Sequence, residues 1–129
     1  MVTKMTFRFV IRGTLPGLND YISAERTSRF QAASMKKQCE SIVMHAARSL
    51  GKLQIDQPVY MVYHWYEPHK RRDKDNVSAF GRKVIQDALV KSRLLHNDGW
   101  KEIVGFEDRF EVDKKNPRIV VELVEVDET

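Results

Sequence analysis

The stretch PVYMVYHWYEP, residues 58–68, constrains the fold of this chain more than any other. Both of its alternating sets are apolar or aromatic: Val59, Met61, Tyr63 and Trp65 on one side, Tyr60, Val62, His64 and Tyr66 on the other. Successive side chains of a strand point to opposite faces, so such a strand is expected to be covered on both faces and to run centrally in a sheet. The segment MTFRFVIRG (5–13) alternates differently. Met5, Phe7, Phe9 and Ile11 stand against Thr6, Arg8, Val10 and Arg12, and Gly13 ends the run, which predicts a strand with one buried face.

The intervening TLPGLNDYISAERTS (14–28) is rich in turn formers and reads as a loop. From about Arg26 to Leu50, residues Phe30, Ala33, Cys39, Ile42, Val43, Ala46, Ala47 and Leu50 recur at helical spacing, and Gly51 supplies a stop. A second helix is predicted from about Asp75 to Arg93. Two strands follow, roughly Glu102 to Val112 and RIVVELVEV (118–126), and the short DKKNP between them suits a hairpin turn. The order β-α-β-α-β-β predicts a two-layer α/β (α+β) domain, with a small mixed sheet and two main helices, over residues 1–129.

Composition narrows the function classes. The chain has 129 residues, 42% hydrophobic and 31% charged, which is the profile of one globular domain rather than a disordered chain. A net charge of +4 is a mild pointer to a polyanionic partner. The single cysteine, Cys39, excludes an internal disulfide and a CxxC zinc site, and its place in a helical pattern predicts a buried, inert thiol. There is no long apolar run and no signal-peptide core, so a cytoplasmic protein with neither a membrane partner nor a nucleotide cofactor is expected. Arg26, Arg29, Lys36, Lys37 and Arg48 lie off the apolar stripe of the first long helix. They form either a solvated face or a phosphate-contacting one.

The stretch HKRRDKDNVSAFGRKVIQDAL (69–89) carries the chemistry. His69, Lys70, Arg71 and Arg72 would attract a polyanion, while Asp73 and Asp75 would repel it. Asp75 sits where a helix N-cap is expected, which accounts for one aspartate and leaves Asp73 unexplained. Carboxylates two residues apart at a strand-to-helix junction can converge, which is costly unless a cation lies between them. Hard oxygen ligands without cysteine favour Mg²⁺, with Mn²⁺ as a substitute. Asn76, Phe80, Lys83 and Asp87 share one helical stripe. Lys83 and Asp87 form either a surface i, i+4 ion pair or a device in which Lys83 faces a scissile phosphate. Beyond the helix, LLHNDGW (94–100) offers Asp98 within ordinary turn chemistry. His69 and His96 fit no ligand-spacing pattern.

Taken together, RRDKDN (71–76), a helix holding Lys83 and DAL (87–89), and NDGW around Asp98 resemble RusA-type Holliday-junction resolvases, which are small, phage-associated, homodimeric endonucleases. LPGLNDY (15–21) resembles that family's N-terminal proline–asparagine loop at Pro16, Asn19 and Tyr21. The resemblance spans the first strand through about residue 100. It implies that Asp73, Asp75 and Asp98 are catalytic carboxylates holding Mg²⁺. It also implies that Lys83, aligned from the DAL end, is a catalytic lysine; aligned from the aspartates, that position is Ala79. Asn97 stands where the family often carries another aspartate. The implied reaction is Mg²⁺-dependent hydrolysis of paired phosphodiesters in four-way junction DNA by a homodimer, in recombination and repair. The DNA contacts are expected from His69, Lys70, Arg71, Arg72, Asn76, Asn19, Arg29 and Lys36. Two other readings compete: a non-catalytic nucleic-acid-binding module, for which Asp73→Asn would strengthen binding, and a phage interaction domain with no DNA retention at low salt.

Overall fold

The computed structural model describes residues 4–127. Strand β1 spans Thr6–Arg12, helix α1 Leu18–Thr27, helix α2 Arg29–Ala47, strand β2 Val59–Glu67, helix α3 Lys74–Lys91, strand β3 Ile103–Val112 and strand β4 Arg118–Glu125. A short 3-10 turn, Arg48–Leu50, closes α2. The four strands form one mixed sheet in the order β1-β4-β2-β3. The α/β two-layer expectation therefore holds, with one helix more than anticipated.

β2 is interior, with β4 antiparallel on one side and β3 parallel on the other. Only one of its faces is sealed. Val59, Met61, Tyr63 and Trp65 join the core with Phe9 and Ile11 of β1 and Ile119, Val121 and Leu123 of β4. On the opposite face Tyr60, His64 and Tyr66 remain partly exposed. The two-sided apolar pattern thus marks a central position rather than a third layer, because flat rings on the open side shield one another.

Residues 14–28 are not simply a loop. Leu18, Tyr21 and Ala24 are three apart and face inward, Tyr21 stacks on Phe80 of α3 at 4.6 Å, and the Asp20 carboxylate accepts from Gly17 N at 2.8 Å. The turn formers disguise a helix whose apolar stripe is only one residue wide. Ser28, with extended backbone, ends α1 and caps α2 by accepting from Gln31 N at 3.0 Å. α2 buries Ala32, Cys39, Val43 and Ala47, leaving Phe30 82% exposed and Ile42 half exposed. At about 100° per residue, Phe30 lies roughly 200° around the helix from Ala32. Cys39 is buried, as expected.

β3 and β4 do not form the expected hairpin. Residues 113–117 carry the chain across the end of β2, where Asp113 N donates to Glu67 O at 2.8 Å, and β4 then returns between β1 and β2. The parallel β2-α3-β3 unit leaves β3 on the sheet edge, with Val104 and Phe106 about half exposed. α3 packs through Val77, Phe80, Val84, Ile85, Ala88 and Leu89. Gly81 allows close approach: a Cβ there would stand 2.7 Å from the Trp65 ring. No helix among the described residues is long and apolar enough to cross a membrane.

Candidate metal and nucleic-acid site

The parallel strands β2 and β3 end side by side where α3 begins, and a cleft of about 1030 Å³ opens there. Its walls include Glu67, His69, Lys70, Arg72, Asp73, Lys74, Asp75, Phe110 and Glu111. Ligand sites of α/β sheets form characteristically beyond the carboxyl ends of parallel strands.

Asp73, not Asp75, occupies the N-cap position of α3, and Asp75 lies in the first turn. The backbone explains the difference: Asp73 is extended (φ −64°, ψ 152°), and its carbonyl accepts the first helical bond from Val77 N at 3.0 Å. The Asp73 side chain makes no capping bond. Both carboxylates line the cleft, exposed and without a hydrogen-bond or ion-pair partner among the described residues. They sit at the positive end of a helix dipole, which favours carboxylates there.

The basic run divides into two kinds of residue. Arg72 forms a fork on Glu67, with Nε–Oε1 at 2.9 Å and NH2–Oε2 at 3.0 Å, and donates through NH1 to Leu15 O at 3.0 Å. Glu67 is buried at the end of β2, so Arg72 neutralises it and ties the β1–α1 loop to the sheet. Its donors are committed inside the fold rather than to DNA. Lys70 and Arg71 are exposed, with no acidic partner among the described residues, and His69 Nδ1 accepts from Arg71 N at 3.2 Å. Lys74, between the two aspartates, also lines the cleft, 5.7 Å over the Phe110 ring. Sequence reading passed over Lys74, although its place in the DKD triplet was the signal for it.

Asn76 is likewise structural. Its Oδ1 accepts from Asn19 N at 2.8 Å, and its amide fills the space where a Cβ on Gly17 would sit, 2.5 Å away. The Leu15–Tyr21 segment is thereby docked on the start of α3, and the Asn19 residue stays exposed beside it. Arg29 is exposed at the start of α2. Lys36 is not free for DNA: it pairs with Asp87 at 2.7 Å, and Lys83 reaches the same carboxylate at 3.1 Å. Burial alone would raise Asp87, but hydrogen bonds from Lys36 and Lys83 outweigh it and hold the carboxyl below its ordinary range. Lys36 is held above its usual value, chiefly by the hydrogen bond to Asp87.

Lys83 does not line the cleft. It follows Asp75 by eight residues of continuous helix, an axial rise of about 12 Å. Ala79, the alternative position, carries no charge, so Lys70 and Lys74 are the lysines that accompany the aspartates. Asp98 is also apart. It lies in the turn that enters β3, where Asn97 Oδ1 accepts from Asp98 N at 2.9 Å, and it does not line the cleft at the other end of that strand. Asp98 is among the charges acting on the Tyr63 hydroxyl, whose pKa is driven far upward mainly by burial. His96 pairs with Asp56 at 2.6 Å. Among the described residues, no three of His, Cys, Asp and Glu within one chain stand together as a metal site.

A polar network invisible in the sequence fixes α3 over β3. The Asp108 carboxylate accepts from Trp65 Nε1 at 2.9 Å and from Arg82, whose guanidinium also donates to Ser78 Oγ at 2.9 Å and covers the Phe106 ring at 4.7 Å. Residues of β2, α3 and β3 meet there. No protein-family model and no curated protein matches the chain, so the functional reading rests on residues and geometry.

Proposed function

We propose that the chain is a Mg²⁺-dependent, RusA-like endodeoxyribonuclease acting on four-way DNA junctions as a homodimer. The observation that carries this reading is the pair Asp73 and Asp75: two carboxylates without a partner among the described residues, in a cleft that Lys70 and Lys74 also line. Mg²⁺ is commonly held by one or two carboxylates, with waters and substrate phosphate completing its shell, so the donor set fits that ion. When bound, the metal supplies an activated water and offsets charge on the transferring phosphate. Lys70, Arg71 and Lys74 bind the phosphate backbone, and the first turn of α3 orients it through its free amide groups. Arg72 positions this rim by holding Glu67 and the Leu15 carbonyl.

Asp98 joins the site through the second copy. An antiparallel pairing of two β3 edges sets the start of one strand beside the end of the other, which brings Asp98 of the partner subunit toward Asp73 and Asp75. The half-exposed Val104 and Phe106 on that edge support the pairing. Purified protein is expected to cut a synthetic four-way junction with Mg²⁺ in paired nicks. Asp75→Asn should lower the single-turnover rate at least about 100-fold with the far-ultraviolet circular dichroism unchanged. Junction binding without cutting in either Mg²⁺ or Mn²⁺ would refute the nuclease assignment.

A further inference from the structure

The sheet face away from the helices carries a slot that the proposed reaction does not use. The His64 and Tyr66 rings, two residues apart on β2, lie nearly parallel (17°) with centroids 6.4 Å apart. A space of about 210 Å³ is lined by His64, Trp65, Tyr66, Arg109 and Glu111. Ring atoms in direct contact stand about 3.5 Å apart, so a flat ring touching both walls needs about 7 Å. The rings must therefore part by at least about 0.6 Å to admit one between them.

Both walls are braced from β4. His64 Nε2 meets Glu122 Oε1 at 2.8 Å, and the Arg118 guanidinium covers the Tyr66 ring at 3.8 Å without lining the slot. Arg118 is held in turn by Asp113 at 2.8 Å and the Asn116 carbonyl at 2.9 Å. The β3 side carries the polar groups. Arg109 spends Nε on Glu107 at 2.7 Å, leaving its two amino groups available, and Glu111 has no hydrogen-bond or ion-pair partner among the described residues. Glu111 also lines the cleft of Asp73 and Asp75, so the slot and the cleft adjoin around the end of β3.

We propose that this slot binds an unpaired nucleobase, guanine by preference, stacked between His64 and Tyr66 with Glu111 and Arg109 reading its edge. A carboxylate accepts from the two adjacent N–H donors that guanine alone presents, and a guanidinium donates to its O6 and N7 acceptors. Stacking on aromatic side chains is the general means by which proteins hold bases outside a duplex. The proposal rests on the nucleic-acid-binding part of the reading above, not on cleavage.

The test is fluorescence anisotropy of the full chain with labelled single-stranded oligothymidylate, with and without one central guanine, in EDTA. The guanine strand should bind about tenfold tighter, the effect of one stacked and hydrogen-bonded base. Glu111→Gln and Tyr66→Ala should each remove the preference, and Tyr66→Phe should keep most of it. Glu111 is exposed, so its variant decides the matter if Tyr66→Ala fails to fold. Equal affinity for the two strands, no binding to either, or a preference that survives Glu111→Gln would overturn the slot. Junction cutting is measured separately: cutting without base preference refutes the slot alone, and base preference without cutting refutes the nuclease alone.

Discussion

At the scale of single residues, charge type does not decide role; the partners do. Arg71 and Arg72 are neighbours of equal charge, yet Arg71 is exposed with no ion-pair partner among the described residues and Arg72 is locked on a buried glutamate. The same logic separates two lysines. Lys83→Ala should change the single-turnover cutting rate less than about threefold, because it removes a surface ion pair of small energy. Lys74→Ala should slow it by about tenfold or more, since Lys74 shares the cleft with the aspartates. Junction cleavage by the two variants, side by side, makes the comparison. Gly81 is a packing residue: Gly81→Ala gains helix propensity of about 1 kcal/mol but drives a methyl into Trp65. A net loss of about 1–2 kcal/mol in urea unfolding is expected. At this scale the sequence made Asp73 and Asp75 legible, because their charge conflicts with the run before them. Asp108 and Glu67 were not legible, since each depends on a partner brought by the fold.

At the scale of elements, the strands were easier to read than the helices. The period-two pattern of β1 survives in the structure, because it reflects burial along a straight segment, whereas β2 is central as expected but sealed on one face only. α1 was hidden, as Pro16, Gly17, Asn19 and Asp20 signal a turn while Leu18, Tyr21 and Ala24 supply only three inward positions. The α2–α3 contact is fastened by Lys36–Asp87 and by Lys91–Glu40 at 2.8 Å. Because the Asp87 carboxyl titrates lower in the fold than its ordinary 3.8, its contribution is fully present above that value and is lost as pH falls through the depressed one. Lys36→Met should therefore lower stability at neutral pH by about 1 kcal/mol, and the deficit should shrink in that acid window. Urea unfolding of the two proteins at neutral and strongly acid pH checks the sign. An undiminished deficit at acid pH would assign the loss to packing instead.

At the scale of the whole molecule, the expected two-layer arrangement holds, while the strand order was beyond the sequence. DKKNP is a good turn between two strand patterns, and nothing local reveals that β2 lies between those strands. That crossing has a functional consequence. It leaves β3 on the edge, running from the Asp98 turn at one end to the aspartate cleft at the other. One chain thus carries the carboxylates toward opposite ends of a strand, and the proposed antiparallel pair of chains would reunite them twice. Mixing Asp75→Asn and Asp98→Asn protein, each inactive alone, tests this most directly on a four-way junction with Mg²⁺. The mixed dimer holds one cleft with Asp73 and Asp75 intact and an intact Asp98 opposite, so single-strand nicking should return in the mixture. If both variants are inactive alone, exchange subunits and still fail to nick when mixed, the shared site is contradicted.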